Sequence, residues 1–121
     1  MNTDEMPAGR EMDALIAEKV MGSVPCDKWR TLTAYPPQWI KGKAECEHAI
    51  CYPLEGPPNY STSIAAAWKV VEKIREDYEP RIELWDEGWE VTILTGTDRG
   101  SASGRALTAP LAICRAALKA V

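Results

Sequence analysis

Tyr60-Ser61-Thr62-Ser63-Ile64-Ala65-Ala66-Ala67-Trp68-Lys69-Val70-Val71-Glu72-Lys73-Ile74-Arg75-Glu76-Asp77-Tyr78-Glu79-Pro80 is the stretch on which the fold class turns. Its first four residues all carry hydroxyls and offer an N-cap, whose oxygen accepts from an amide the first helical turn leaves unpaired. Ile64, Ala67, Trp68, Val71, Ile74 and Tyr78 then recur at helical spacing as one apolar stripe. Lys69, Glu72 and Arg75 fall on the other face, with opposite charges three apart. Pro80 lacks an amide hydrogen and is the expected stop. A helix with one greasy side needs another layer to cover it.

The covering layer is readable on both sides of this helix. Downstream, Arg81 to Trp85 and Trp89 to Leu94 read as two strands around the turn Asp86-Glu87-Gly88, with Trp89, Val91 and Ile93 on one face. A stretch of small residues follows, Thr95-Gly96-Thr97-Asp98-Arg99-Gly100-Ser101-Ala102-Ser103-Gly104-Arg105, which reads as a connection closing on a short strand through Ala106 and Leu107. Thr108 is then an N-cap and Pro110 sits near the first helical position, opening a last helix with Leu111, Cys114, Leu118 and Val121 as its apolar stripe. Arg115 and Lys119 lie toward its C-terminus, where the helix dipole favours cations. Upstream, Met12, Leu15, Ile16 and Val20 mark a helix from Gly9 to Met21, stopped by Gly22.

Between Gly22 and Asn59 the periodicity fades. Six of the nine prolines fall here (Pro25, Pro36, Pro37, Pro53, Pro57 and Pro58), which leaves room only for short strands near Trp29 to Thr33 and Glu47 to Tyr52. The element order predicts an α/β fold, a three-layer α/β/α sandwich with a small, mostly antiparallel sheet and three helices. With 121 residues and 45% hydrophobic composition, one domain spanning residues 1–121 is expected, burying roughly two-thirds of its unfolded surface.

Charge and targeting signals narrow the function classes. The net charge is −4 and the pI about 5.0, so the overall field repels nucleic-acid polymers and anionic membranes, and any bound anion needs a local cluster. Asp4, Glu5, Glu11, Asp13 and Glu18 crowd the first twenty residues where a signal peptide would be basic and then apolar. Ile64 to Trp68, the longest candidate apolar run, is far too short to cross a bilayer. A cytoplasmic protein is expected, with Cys26, Cys46, Cys51 and Cys114 as reduced thiols. Five Trp and four Tyr with no Phe are read mainly as core, although such residues also suit surfaces that meet a partner.

Three stretches together resemble the phage ABA sandwich family, small proteins of tailed phages and prophages. They are Arg10-Glu11-Met12-Asp13-Ala14-Leu15-Ile16-Ala17-Glu18-Lys19-Val20-Met21-Gly22, the stretch from Tyr60 to Lys73 quoted above, and Thr108-Ala109-Pro110-Leu111-Ala112-Ile113-Cys114-Arg115-Ala116-Ala117-Leu118. The resemblance implies an α/β/α sandwich and the cytoplasm of an infected bacterial host, and it brings no catalytic residues. At Ser63 the family pattern leads one to expect an acidic residue, so the second helix starts less negative here. Residues 23–58 match no part of the pattern.

Catalysis is poorly supported, and no catalytic residue and no cofactor are expected. His48 is the sole histidine, and Ala102 stands at the centre of Gly100 to Gly104 where a nucleophile elbow would have serine. Glu83, Asp86, Glu87 and Glu90 flank the hairpin turn and read as a solvated turn. The favoured binding element is the glycine-rich segment. Its backbone amides, with Gly100, Ser101 and Ser103, would approach an anion, and Arg99 and Arg105 would pair with it. No Walker lysine or dinucleotide fingerprint is present.

The expected function is therefore a non-enzymatic phage accessory protein that binds a small phosphorylated ligand or a host protein and leaves room for a homo-oligomer. The specific expectation is sequestration of a nucleotide-derived host immune signal. The alternative is a structural or host-protein interaction module with a zinc-stabilised middle segment. Cys46-Glu47-His48 and Cys51 place three good zinc ligands, two thiols and an imidazole, within six residues, and Cys26 would complete a Cys₃His set, although the spacing is not that of a standard finger. No metal is assigned on sequence grounds alone.

Overall fold

Each amphipathic stripe finds its place in the computed structural model, which describes residues 6–32, 38–41, 46–47, 51–54, 56–94 and 100–120. The first helix begins as α1 (Arg10–Leu15) and widens into a π-helical turn, Ile16–Val20, where the Met21 amide donates to the Ile16 carbonyl at 3.0 Å. Met12, Ile16, Ala17 and Val20 are buried, and Gly22 takes the left-handed conformation (φ 68°) that ends the helix.

Helix α2 (Ile64–Ile74) is capped by Ser63, whose hydroxyl accepts from the Ala66 amide at a long 3.4 Å. Its buried face is Ala67, Val70, Val71 and Ile74. The expected stripe is therefore rotated, for Ile64 (55% exposed) and Trp68 (48%) lie on its margin. The helix also ends before Pro80, which is the second residue of strand β5 (Glu79–Trp85). That position is tolerated because β5 is an edge strand, where a missing donor leaves no ladder partner stranded.

The main sheet runs β5, β6 (Gly88–Leu94), β7 (Ser101–Ala106), all antiparallel. Period-two alternation puts the buried Val91 and Ile93 on one face of β6 and Glu90 and Thr92 on the other. Helix α3 (Ala109–Ala120) is the hub, packing on β6 and β7 while α2 and the π turn of the first helix pack on it. Its buried side is Pro110, Ala112, Ile113, Cys114, Ala116 and Ala117. The expected Leu111 and Leu118 are only partly buried, and Val121 lies outside the described residues. Small residues face the sheet because the approach is close: a Cβ on Gly104 would lie 2.4 Å from the Ala116 amide nitrogen.

Two two-stranded sheets occupy the proline-rich middle. β1 (Val24–Cys26) pairs in parallel with β4 (Cys51–Pro53), and β2 (Trp29–Leu32) pairs antiparallel with β3 (Gln38–Lys41). β1 and β3 carry no alternating pattern in the sequence and were not expected. The protein is thus an α/β fold, with three helices and small, mostly antiparallel sheets among the described residues. A buried polar link locks the first helix to the start of α2. Ser61 donates its hydroxyl (2.6 Å) and its amide (2.7 Å) to the buried Asp13 carboxylate, and that hydroxyl accepts from the Gly9 amide at 2.9 Å.

Candidate functional site

The hairpin turn shapes the end of the main sheet. Trp85 pairs with Gly88, leaving Asp86 and Glu87 as a two-residue turn. Gly88 has φ 145°, and a Cβ there would lie 2.5 Å from the Ala106 carbonyl oxygen, so only glycine lets β6 begin this close to the end of β7. Arg105, opposite Glu90 in the register, is thereby brought beside Trp85. Its Nε donates to Glu90 Oε2, and its guanidinium carbon lies 5.8 Å from the Trp85 ring centroid, within cation–π range. The hydrogen bond it donates to Glu90, together with that carboxylate's charge, raises the Arg105 pKa.

These contacts border an open depression of about 530 Å³, a size typical of small-molecule sites. Trp85, Trp89, Ala106 and Leu107 form its apolar side, and Arg105, Arg115, Asp86 and Glu87 its polar side. Trp85 (51% exposed) and Leu107 (83%) both line it. Large apolar groups left in water together mark a contact surface more often than scattered ones do. Arg115 is a strap beneath the depression, not a cation at a free helix end. Its Nη1 donates to the Arg105 carbonyl at 2.7 Å and its Nη2 to the Met6 carbonyl at 2.9 Å. Its Nε is buried with no partner among the described residues, a cost of about 1–3 kcal/mol that an added acceptor would relieve.

The glycine-rich segment takes a different form from the expected connection. Ser101 to Arg105 belong to β7, so their amides alternate in direction along a strand and do not converge on one point. Gly100 (φ 79°) precedes the strand, and Arg99 lies outside the described residues. Ser101, Ser103 and Arg105 share the strand face opposite Gly104, with the Ser103 hydroxyl 3.4 Å from that of Thr92. Asp86 and Glu87 are exposed turn residues, as expected, and Glu90 is engaged by Arg105. Trp85, Leu107 and Arg115 were not singled out as site residues. The adjacency of an apolar pair, Leu84-Trp85, to an acidic turn was their available signal.

The middle segment brings three of the four expected zinc-ligand candidates into one cluster. The Sγ atoms of Cys26, Cys46 and Cys51 all lie within 4.8 Å of one another, at 3.3 Å for Cys26–Cys46 and 3.1 Å for Cys46–Cys51. Burial, reinforced by the neighbouring thiols, pushes the Cys51 pKa up to about 11. His48 lies outside the described residues. Cys114 is apart in α3, where burial, reinforced by the Asp13 charge, pushes its thiol up to about 12.

The model of the phage ABA sandwich domain matches residues 14–118. The 2.0 Å crystal structure of a phage protein from Bacillus cereus ATCC 14579 is similar over 97% of this chain and 95% of that one, at 29% identity and a TM-score of 0.66. No functionally curated protein gives a significant match.

Proposed function

The chain belongs to the phage ABA sandwich domain family, and from that premise we propose that it is a non-enzymatic phage accessory protein that captures a small planar anionic ligand at the hairpin end of its main sheet. A nucleotide-derived host immune signal, held without being turned over, is the specific reading. The observation that carries it is the exposed Trp85 indole with the Arg105 guanidinium over its ring at the rim of the depression. A planar base stacks on an indole or guanidinium face, and a phosphate takes the terminal nitrogens that the Glu90 contact to Nε leaves over.

The lining supports binding over turnover. Among the described residues lining the depression the groups able to act as nucleophile or base are the exposed turn carboxylates Asp86 and Glu87, with no serine, threonine, cysteine or histidine beside them. Asp86 and Glu87 on the rim repel an extended polyanion running across them, in keeping with the net negative charge, and leave Arg105 as the place where a compact ligand of few charges would sit. No helix among the described residues is long and apolar enough to cross a membrane.

The test is a melting screen against linear and cyclic nucleotides, followed by recovery of any bound compound. At least one nucleotide class raises the melting temperature, is recovered chemically intact, and loses its effect with Trp85→Ala and Arg105→Ala. A ligand recovered in altered form would make the protein an enzyme. A silent screen would move the reading to a host protein partner.

A further inference from the structure

The geometry points to a metal centre outside that depression: Cys26, Cys46 and Cys51 hold one zinc ion as thiolates and thereby fasten the middle segment. The placement follows from topology. In the parallel pairing of β1 with β4, Val24 lies opposite Cys51, so Cys26, two residues further on, emerges on the same face of the small sheet as Cys51. Cys46 closes the triangle from the chain between β3 and β4. One face of a tetrahedral zinc–thiolate site has sulfur–sulfur edges of ~3.8 Å for Zn–S bonds of ~2.3 Å. The observed sulfurs, at 3.1 and 3.3 Å and all within 4.8 Å, are near enough for one ion to reach all three, with two edges shorter than that face by about half an ångström that binding would open.

Two donors face the sulfurs, and a bound cation would supply the charge that burial withholds from a bare thiolate. The Trp29 indole N–H donates to Cys51 Sγ at 3.2 Å and the Lys28 amide to Cys26 Sγ at 3.4 Å. Donors aimed at sulfur stabilise its negative charge and orient it, as the outer shell of a metal site does. Cys26 and Cys51 are buried at these positions, which shields the cluster from solvent as the ligands of a structural metal are shielded. The segment also needs a staple, because two-stranded sheets are marginal by themselves and proline interrupts this one throughout. Thiolate-rich sets favour zinc, copper(I) or iron–sulfur clusters, and a single three-thiolate face with a fourth corner for nitrogen or water fits zinc. His48 is the nitrogen ligand the sequence offers between Cys46 and Cys51.

The experiment uses the full chain purified without chelator from zinc-supplemented medium. Elemental analysis returns one zinc per chain, a thiol-specific mercurial releases that one equivalent, and the zinc-free protein takes up cobalt(II) with a thiolate charge-transfer band in the near ultraviolet. Cys46→Ser loses the equivalent and the band, whereas Cys114→Ala, which alters the thiol buried in α3, keeps both. Far-ultraviolet circular dichroism of Cys46→Ser keeps the reading on folded protein, since none of the three thiols lies in the helices. Absence of metal, an equivalent of copper or iron in its place, a mass lower by two hydrogens from a disulfide, or full zinc in Cys46→Ser would each overturn the proposal.

Discussion

Gly104→Ala places a methyl group where α3 already sits. The new carbon would lie 2.4 Å from the Ala116 amide nitrogen, 2.7 Å from the Ala112 carbonyl oxygen and 2.8 Å from Arg115 Cβ. Two of these are backbone atoms of one helix, so no rotamer change relieves them, and α3 has to lift by about 1 Å to restore normal contact. Overpacking of this kind costs about 1–3 kcal/mol, and a rigid neighbour puts the value toward the top of that range. Replacing glycine also narrows the unfolded ensemble and returns about 0.5–1 kcal/mol. The net expectation is a loss of about 2 kcal/mol, or a melting temperature lower by about 8 °C. Urea denaturation followed by Trp fluorescence should show a lower midpoint at unchanged slope. Gly100→Ala is the comparison: among the described residues nothing lies within 4 Å of its Cβ, so the expected cost is the backbone strain of φ 79°, about 1 kcal/mol. Stability within about 0.5 kcal/mol of the parent for Gly104→Ala, or a greater loss at Gly100, would refute the seating of α3 on β7.

Ser61→Ala removes the 2.6 Å hydrogen bond to the buried Asp13 carboxylate together with the acceptor for the Gly9 amide. It should cost about 2–3 kcal/mol by chemical denaturation, and a change near zero would mean that this link does not hold the first helix. Ser63→Asp improves a cap that is 3.4 Å long at the start of a helix with no acidic residue in its first turn. It should stabilise by about 0.5–1 kcal/mol, a gain that shrinks with added salt, whereas a loss would contradict the assigned helix start.

The helices and the hairpin were legible because each rests on a local pattern. Ile16, Val71 and Val91 recur at periods that only a helix or a strand accounts for, and Ser63, Gly22 and Thr108 mark ends by their own chemistry. The rotation of α2 was not legible, because Trp68 and Val70 are both apolar and only the position of α3 decides which of them is covered. β1 and β3 escaped notice since three or four residues around Pro25 and Trp39 are too few to show alternation. Glycine spacing in Gly100 to Gly104 suggested a loop, yet Gly104 is there for the helix it touches. The thiol cluster was half legible: the sequence named Cys26, Cys46 and Cys51, and the parallel pairing of β1 with β4 supplied the nearness that spacing does not encode. At the depression Arg105 was found for its charge, while Trp85 and Leu107 required the register that brings the ends of β5 and β7 together.

Whether ligand is held at the hairpin end, against Trp85 and Arg105, can be read from a two-dimensional proton–nitrogen spectrum in which the five indole N–H signals are assigned by single Trp→Phe replacements. On addition of the nucleotide that most raises the melting temperature, the Trp85 and Trp89 indole signals should shift in proportion to occupancy, while those of Trp29 and Trp68 stay in place. The ligand's own proton spectrum should remain that of the compound added. Shifts confined to Trp29 or Trp68, or a ligand spectrum that changes with time, would contradict the account.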